Sequence, residues 1–281
     1  MITTKKQTKI NKKDLHKFLL IAAYIFMSCS GSKQAARATG DHSSSITVLC
    51  YNIHHANPPS KPGLIDIDAI ANVIKKENPD IVALQEVDVH TGRSGADLHQ
   101  AKAIAEKTGM KAWFAKAIDY DGGEYGVAIL SKHPMSDFQK FALPTVPATK
   151  GEPRILATAI IELPGNKKIR FASTHLDAQR ADTNRMLQME KIVEVLKEEK
   201  LPVILAGDLN AVSGSRIINK LDEHFSRTCI ENCAFTIPET IPNRTIDFIA
   251  FSPGRLSVKD HRVIEESYAS DHRPVIATLN Y

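Results

Sequence analysis

The sequence lacks several features that would narrow its function at once. Four cysteines occur among 281 residues, and no group of Cys and His residues has the spacing of a zinc site. There is no internal repeat and no low-complexity tract. The apolar run at residues 18–27 is too short to cross a bilayer as a helix, which takes about 20 apolar residues. These absences favour one globular domain without a structural zinc ion.

Residues 1–29 have the pattern of a signal peptide. Six lysines precede the apolar run, and small residues follow it. Cys29, within Phe26-Met27-Ser28-Cys29-Ser30, resembles the lipidated cysteine of bacterial lipoproteins. We therefore expect export and a lipid anchor at Cys29 rather than a spanning helix, with plain cleavage to a periplasmic or extracellular protein as the alternative. Residues 30–45, rich in Ser, Ala, Gly and Thr, read as a flexible tether.

The chain has little positive charge once the leader is removed. The whole chain has 36 basic and 32 acidic side chains, of which residues 1–29 hold six and one, so the remainder has a net charge of −1. A non-specific nuclease usually presents a basic surface to phosphate backbones. Nucleic acid is therefore a less favoured substrate than a small molecule or a lipid.

Residues 46–281 are long enough for one large α/β domain. Apolar periodicity predicts helices at 66–76, 98–108 and 183–200, and strands at 46–53, 80–87, 112–117, 125–131, 155–163, 168–174, 203–206, 245–251 and 275–279. Strands outnumber helices and many are consecutive, which fits a doubly wound sheet poorly. The pattern predicts a four-layer α/β/β/α sandwich of two packed mixed sheets flanked by helices.

Polar clusters stand beside these apolar runs, mostly at strand ends. They are Tyr51-Asn52, Gln85-Glu86, Thr174-His175, Gly207-Asp208-Leu209-Asn210, Ile246-Asp247 and Ser270-Asp271-His272. Asp208 and Asn210 are two residues apart on an extended backbone, so they share one side of the sheet. A single strand-end carboxylate or amide usually just meets water. The set as a whole is the layout of a metal-assisted hydrolase.

The chemistry of this set favours a hard divalent cation. Its oxygen donors, without a Cys or His cluster, suit Mg²⁺, with Mn²⁺ as an alternative, better than Zn²⁺. His175 and His272 are acid/base candidates because imidazoles titrate near neutral pH. Asp247 is a candidate partner to hold one imidazole in its working tautomer. One histidine at a strand end is more often structural, but two in separate polar clusters shift the balance.

Other positions carry weaker signals. Arg154 precedes a strand and is a candidate phosphate ligand, although a surface Arg is the commoner explanation. Tyr125 is a candidate cleft wall or an ordinary sheet residue. Cys229 and Cys233 can pair if the backbone turns between them, and geometry decides this. Residues 229–244 are Pro-rich and without a predicted strand, and they either shape substrate access or bridge two strands.

The clusters, in this order, resemble the endonuclease/exonuclease/phosphatase superfamily of Mg²⁺-dependent phosphoesterases. The matching stretches are Tyr51-Asn52-Ile53, Leu84-Gln85-Glu86-Val87, Gly126 to Ser131, Thr174-His175-Leu176, Gly207 to Asn210, Ile246 to Ile249 and Ser270 to Val275. The resemblance implies the four-layer sandwich, a metal held chiefly by Glu86 with Asn52 and Asp271 nearby, phosphate contacts from His175 and Asn210, a water oriented by Asp208, and an Asp247–His272 pair. Whether Asp208 or His272 is the general base stays open.

The resemblance does not choose the substrate, because superfamily members cut DNA, RNA, sphingomyelin and inositol phosphates with a similar centre. We expect a phosphodiester of lipid or small-molecule type, then phosphomonoesters, then nucleic acid. We also expect a monomer. The alternatives are a secreted nuclease and a surface-anchored protein that binds a phosphorylated ligand without turnover.

Overall fold

The computed structural model describes residues 44–281. The predicted signal peptide, lipidation at Cys29 and nearly all of the predicted tether lie outside the described residues. No helix of residues 44–281 is long and apolar enough to cross a membrane.

The described chain forms two six-stranded sheets. The first contains β1 (Ser45–Asn52), β2 (Ile81–Val89), β3 (Lys111–Tyr120), β4 (Gly123–Ser131), β11 (Ser257–Val263) and β12 (Val275–Asn280), in the order β11-β12-β1-β2-β4-β3. The second contains β5 (Met135–Leu143), β6 (Arg154–Leu163), β7 (Lys167–His175), β8 (Val203–Asp208), β9 (Ser226–Arg227) and β10 (Asp247–Phe251), in the order β5-β6-β7-β8-β10-β9. Both sheets are mixed, because β1 and β2 are parallel, β7 and β8 are parallel, and the other neighbours are antiparallel.

Within residues 44–281, four α-helices cover the sheets: α1 (Ile67–Glu77), α2 (Gln100–Thr108), α3 (Thr183–Leu196) and α4 (Arg216–Asp222). Local chemistry sets the ends of α1 and α2. The Asp66 carboxylate accepts a hydrogen bond from the Ala69 N–H at 2.9 Å and caps α1. The α2 helix ends at Gly109, whose φ of 69° is a left-handed conformation that glycine adopts without strain.

The buried side chains form three main clusters that define four layers. Val48 and Cys50 of β1 pack with Phe171 and Ile204 in the core between the two sheets. Side chains on the opposite face of β1 pack with those of α1 and α2, and the outer face of the second sheet packs against α3 and α4. The two-residue alternation of a strand thus supplies both faces of each sheet. The predicted four-layer sandwich is confirmed.

Several elements were absent from the sequence prediction. Strands β5 and β11 are edge strands with mostly exposed or half-buried residues, so they lack the apolar run that marks a buried strand. The two-residue β9 and the short α4 were also missed. The α3 helix ends at Leu196 rather than Lys200, because the chain leaves the apolar helical pattern at the charged residues 197–200.

Candidate active site

The strand directions bring the predicted polar clusters to one end of the sandwich. Strand β1 ends at Asn52, beside Gln85 of the parallel strand β2, and the parallel strands β7 and β8 end together at His175 and Asp208. Strand β12 is antiparallel to β1 and β10 is antiparallel to β8, so each begins where its neighbour ends. In the register, Asp208 lies opposite both His175 and Asp247. Side chains from segments up to 218 residues apart thus meet at this end.

Asp208 lies at the centre of the contacts. Its Oδ2 accepts a hydrogen bond from Asn52 Nδ2 at 3.1 Å, across the interface between the two sheets. The Nε2 atoms of His175 and His272 lie 3.4 Å and 3.8 Å from the same oxygen. The Asp208 side chain is 2 % exposed. One carboxylate oxygen is therefore surrounded by two imidazoles and an amide.

His272 forms a buried pair with Asp247. Its Nδ1 lies 2.9 Å from Asp247 Oδ2 and 3.1 Å from Oδ1, so Nδ1–H donates to this carboxylate. Burial alone would lower the pKa of His272, but the charge of Asp247 and its hydrogen bond raise it above the usual value. The imidazole is thus held in one orientation, with Nε2 on the side of Asp208.

The tautomer of His175 follows from its neighbour Arg154. Arg154 Nη1 lies 3.2 Å from His175 Nδ1, and because a guanidinium always donates, Nδ1 must accept. Nε2 of the neutral ring then carries the proton, 3.4 Å from Asp208 Oδ2. Burial and the Arg154 charge hold the pKa of His175 well below its usual value. A neutral His175 in this tautomer presents Nε2–H to the site.

Arg154 is buried and its Nη1 also contacts Glu152 Oε1 at 2.9 Å. The structure therefore brings Arg154 to His175, and its contact with phosphate stays a prediction. Its Nε is buried without a hydrogen-bond partner among the described residues.

Asn210 turns back towards His175. Its φ of 46° lies in the left-handed region, which Asn tolerates better than most residues. Its backbone N–H donates to Asp208 Oδ1 at 2.8 Å. Its Nδ2 donates to the Leu176 carbonyl at 3.0 Å and lies 3.1 Å from His175 Nε2. Because an amide N–H only donates, the contact between Asn210 and Nε2 is a hydrogen bond only where Nε2 accepts. In the Nε2–H tautomer that Arg154 favours, the two donors face the same space, as two groups that bind one anion would.

Glu86 reaches the site because β2 is irregular. The register of β2 with β4 shifts between Leu84 and Val87, and Glu86 within this β-bulge has a φ of 57°. A left-handed conformation is strained for Glu, and such strain concentrates at functional sites. Strand β4 also lies close to its other neighbour, β3. A Cβ added to Gly126 of β4 would lie 2.1 Å from the carbonyl oxygen of Ala115 on β3.

Asn52 links Glu86 to Asp208. Its Nδ2 lies 3.1 Å from Glu86 Oε1 and 3.1 Å from Asp208 Oδ2. Its Oδ1 accepts the His54 N–H at 3.1 Å. Burial alone would raise the pKa of Glu86, but the facing His55 imidazole and the Asn52 amide hold it well below its usual value. Glu86 is therefore ionised. Asn52 can ligate a metal only if its side-chain oxygen gives up the hydrogen bond from the His54 N–H.

Asp271 lies on the same edge, in the segment before β12. The neighbouring Ser270 hydroxyl donates to the Asn52 carbonyl at 2.7 Å and so ties this segment to β1. Asp271 is half-buried, between the buried Ser270 and His272. Its charge contributes to raising the pKa of His272.

The residues present fit a divalent cation. Ligand atoms of Asp208, Asp247 and His272 lie within 4.8 Å of one another, and all three side chains are buried. Burial, followed by the like charge of Asp247, raises the pKa of Asp208, as like-charge repulsion between two buried carboxylates does. A cation would offset this repulsion, and carboxylate oxygens are the donors that Mg²⁺ and Mn²⁺ prefer. The sequence prediction placed the metal at Asn52, Glu86 and Asp271, on the first-sheet side of the same centre.

Tyr125 forms a buried wall near Glu86. Burial, followed by the Glu86 charge, raises the pKa of Tyr125 well above its usual value. The guanidinium of Arg93 lies 5.5 Å from the Tyr125 ring centroid and 4.4 Å from that of Tyr120. Arg93 is held by a bidentate bond to the fully buried Asp88, at 2.7 Å and 2.9 Å. The sequence analysis missed Asp88, although it lies two residues after Glu86 on the same strand.

A second missed group anchors the segment that leads to Arg154. Asp177 is 1 % exposed and accepts hydrogen bonds from the Gln179 N–H at 2.8 Å and from Asn184 Nδ2 at 3.2 Å. A Cβ added to Gly151 would lie 2.3 Å from both Asp177 Oδ2 and Asn184 Nδ2. Gly151 is thus required for this close contact. Asp177 follows His175 by two residues, and this spacing was the available signal.

The Pro-rich segment 229–244 borders the site. Cys229 and Cys233, whose pairing the sequence left open, form a disulfide with Cα atoms 5.8 Å apart. Cys50 is a free, buried cysteine, and burial raises the pKa of its thiol well above the usual value. Three exposed apolar side chains, Val212, Ile230 and Phe235, line a cavity of about 410 Å³ with Cys233 and Arg244.

Comparison with solved structures supports the fold. An endonuclease/exonuclease/phosphatase from Beutenbergia cavernae is 25 % identical, with a TM-score of 0.71 over 84 % of this chain and 71 % of that one. A mannosyl-6-phosphatase from Bacteroides thetaiotaomicron is 22 % identical, with a TM-score of 0.65 over 84 % and 100 %. The human Nocturnin catalytic domain is 18 % identical, with a TM-score of 0.65 over 84 % and 93 %. A search of curated proteins finds no match.

A family model provides the sequence evidence that the structural likeness alone lacks. It matches residues 49–272, which begin in β1 and end at His272, so the matched range includes every strand-end cluster described above. The protein therefore belongs to the endonuclease/exonuclease/phosphatase family.

Proposed function

We propose that the protein is a divalent-metal-dependent phosphoesterase that hydrolyses a lipid or small-molecule phosphodiester at the bacterial cell envelope. Family members are hydrolases of phosphoester bonds. The observation that carries the proposal is the position of Asp208, whose Oδ2 lies 3.4 Å from His175 Nε2 and 3.8 Å from His272 Nε2. Proton-transfer groups and anion-binding groups thereby share one small site.

The residues divide into three tasks. Glu86 and Asp271 would hold the cation, with Asn52 bridging Glu86 and Asp208, and the Asp208–Asp247–His272 group beside them would handle the proton. When bound, a divalent cation neutralises charge on phosphoryl oxygens and lowers the pKa of water. His175 and Asn210 would donate hydrogen bonds to a phosphoryl oxygen.

The attacking water must lose a proton to a group beside it. Asp208 is one candidate base, because its carboxylate lies between both imidazoles. His272 is the other, since Asp247 holds its Nδ1 and leaves Nε2 towards the centre. In either case the Asp247–His272 pair balances the charge that develops during proton transfer.

Two features favour a small-molecule or lipid substrate over nucleic acid. The net charge of −1 outside residues 1–29 gives no general attraction to a phosphate backbone. The exposed Val212, Ile230 and Phe235 supply an apolar wall that suits a hydrocarbon portion of a substrate. A phosphomonoester is the second candidate, and the mannosyl-6-phosphatase of the same fold is named for such an activity. The envelope location rests on residues 1–29, with Cys29 as the lipid anchor.

Hydrolysis of bis-p-nitrophenyl phosphate tests the proposal. We expect turnover with Mg²⁺, loss with EDTA, and recovery with added Mg²⁺ or Mn²⁺. Asp208→Asn and His272→Gln should each lower kcat by about 10²–10⁴-fold. Asp260→Asn and His224→Gln, which make the same chemical changes at exposed positions, should not. Wild-type rates in Glu86→Ala or His272→Ala would contradict the proposal.

The two rival functions predict different results. A binding protein without turnover would bind a phosphorylated ligand tightly and hydrolyse no member of a panel of phospholipids, inositol phosphates and oligonucleotides. A secreted nuclease would nick plasmid DNA, with a rate that falls steeply as salt increases.

A further inference from the structure

A cavity of about 440 Å³ adjoins the candidate active site. Arg180, Arg185 and Arg244 line it together with Asn210. Asn210 also lies 3.1 Å from His175 Nε2. The cavity and the catalytic centre therefore share a residue, and one substrate could extend from one to the other.

Arg185 is the buried member of this group. Its Nη1 donates to the carbonyls of Asp177 at 2.8 Å and Gln179 at 2.5 Å, and no carboxylate among residues 44–281 forms an ion pair with it. The side chain is 8 % exposed, and its buried Nε has no hydrogen-bond partner in the described part of the chain. A buried guanidinium without a counterion favours binding of an anion.

The other charged side chains in the cavity wall leave its net charge positive. Arg180 is exposed and forms no ion pair with any described residue, and Arg244 donates to Asn243 Oδ1 at 3.1 Å. The acidic residue of the wall, Asp182, is already neutralised by a bidentate bond from Arg216, at 2.8 Å and 2.6 Å. Guanidinium groups match the geometry of phosphate oxygens and bind them bidentately.

We propose that this cavity, the arginine cavity, binds a second, non-reacting phosphate group of the substrate while His175 and Asn210 hold the scissile phosphate. The substrate is then a phosphoester that carries an additional phosphate, on a soluble molecule or on a lipid headgroup. This inference rests on the proposed hydrolase function and narrows its substrate class.

The test uses two chromogenic diesters that differ by one phosphate: the p-nitrophenyl ester of thymidine 5′-phosphate with and without a 3′-phosphate. With Mg²⁺, the wild-type protein should favour the phosphorylated ester in kcat/KM by about tenfold or more, the contribution of a charged hydrogen bond. The Arg180→Gln/Arg244→Gln variant should bring this ratio close to one. The control variant Arg255→Gln/Arg262→Gln removes two exposed arginines elsewhere and should keep the ratio.

A second pair, phosphatidylinositol and phosphatidylinositol 4-phosphate in mixed micelles, separates the two sources of the phosphate. A larger ratio for the lipid pair than for the nucleotide pair assigns the phosphate to a lipid headgroup, and the reverse assigns it to a soluble ester. Equal kcat/KM for both members of both pairs overturns the inference. It is also overturned if the control variant loses the preference as much as Arg180→Gln/Arg244→Gln does. If a ten-nucleotide DNA strand is cleaved faster than the nucleotide esters and the lipids, the assignment to a small substrate or lipid is overturned.

Binding distinguishes failure of this inference from failure of the proposed function. If no ester is hydrolysed, the hydrolase function fails. Calorimetric titration with thymidine 3′,5′-bisphosphate and with thymidine 5′-phosphate then decides on the cavity. Tighter binding of the bisphosphate that is lost in Arg180→Gln/Arg244→Gln supports the anion subsite, and equal binding of both nucleotides overturns it.

Discussion

Replacing Gly207 with Ala should separate two strands at the centre of the site. Gly207 lies on β8 directly opposite Thr174 of β7, and each precedes a site residue, Asp208 and His175 respectively. A Cβ at Gly207 would lie 2.2 Å from the Thr174 carbonyl oxygen, where real Cβ atoms essentially never come within 3.0 Å. The strands must therefore separate by about 0.8 Å, the difference between these distances.

The size of the effect follows from this displacement. Overpacking of this kind costs about 1–3 kcal/mol in the free energy of unfolding, which lowers Tm by about 2–12 °C for a domain of this size. The shift would also move His175 relative to Asp208. A misplacement of about 1 Å can lower catalysis by about 10²-fold.

The assay combines thermal unfolding with hydrolysis of bis-p-nitrophenyl phosphate well below Tm. Gly165→Ala is the matched control, since Gly165 has a φ of 74° and its Cβ would meet no atom within 4 Å. It should lose about 1–2 kcal/mol through backbone strain alone and retain activity. If Gly207→Ala is as stable and as active as the wild-type protein, the close approach of β7 and β8 does not hold the site together.

Three further predictions concern other contacts. Arg154→Leu removes the donor to His175 Nδ1 and a nearby positive charge, so the pKa of His175 should rise and its ¹⁵N chemical shifts should show loss of the single Nε2–H tautomer. An unchanged His175 spectrum would refute the assignment of this tautomer. Asp88→Asn weakens the charged hydrogen bonds between the buried Asp88 and the half-buried Arg93 and should cost about 1.5–3 kcal/mol in chemical denaturation. Asp119→Asn, at an exposed pair with Lys116, should cost less than about 1 kcal/mol. In a Cys29→Ser background, Cys50 should resist a thiol reagent until the protein is unfolded, because the thiol is buried and its pKa is raised; rapid labelling of the native protein would contradict this burial.

The buried strands and the longer helices were predictable because their apolar periodicity is local. Strand β2 has the continuous apolar run of a strand buried on both faces, helix α1 shows the helical period, and a cap or a glycine marks the helix ends. Strands β5 and β11 could not be found in this way, since edge strands bury few side chains. The order of the polar clusters was sufficient to indicate the family, which the match over residues 49–272 shows.

Contacts within the site were only partly accessible from the sequence. The sequence named Arg154 as a phosphate ligand, but it held no sign that Arg154 would contact His175. Asp88 and Asp177 went unnoticed because a lone Asp just after an apolar run looks like any solvated turn residue. Each becomes meaningful through the partners that the fold brings to it, Arg93 and Asn184.

Local sequence thus determined which segments form strands and helices, which faces are apolar, and which strand ends carry acids, amides and imidazoles. Tertiary structure decided which of these groups meet. Asn52 contacts Asp208 across 156 residues of chain, and Arg244 joins Arg180 and Arg185 in the arginine cavity from a distant segment. The physical reason is that strand register and sheet packing place side chains to within a few ångströms, whereas periodicity states only which face each side chain is on.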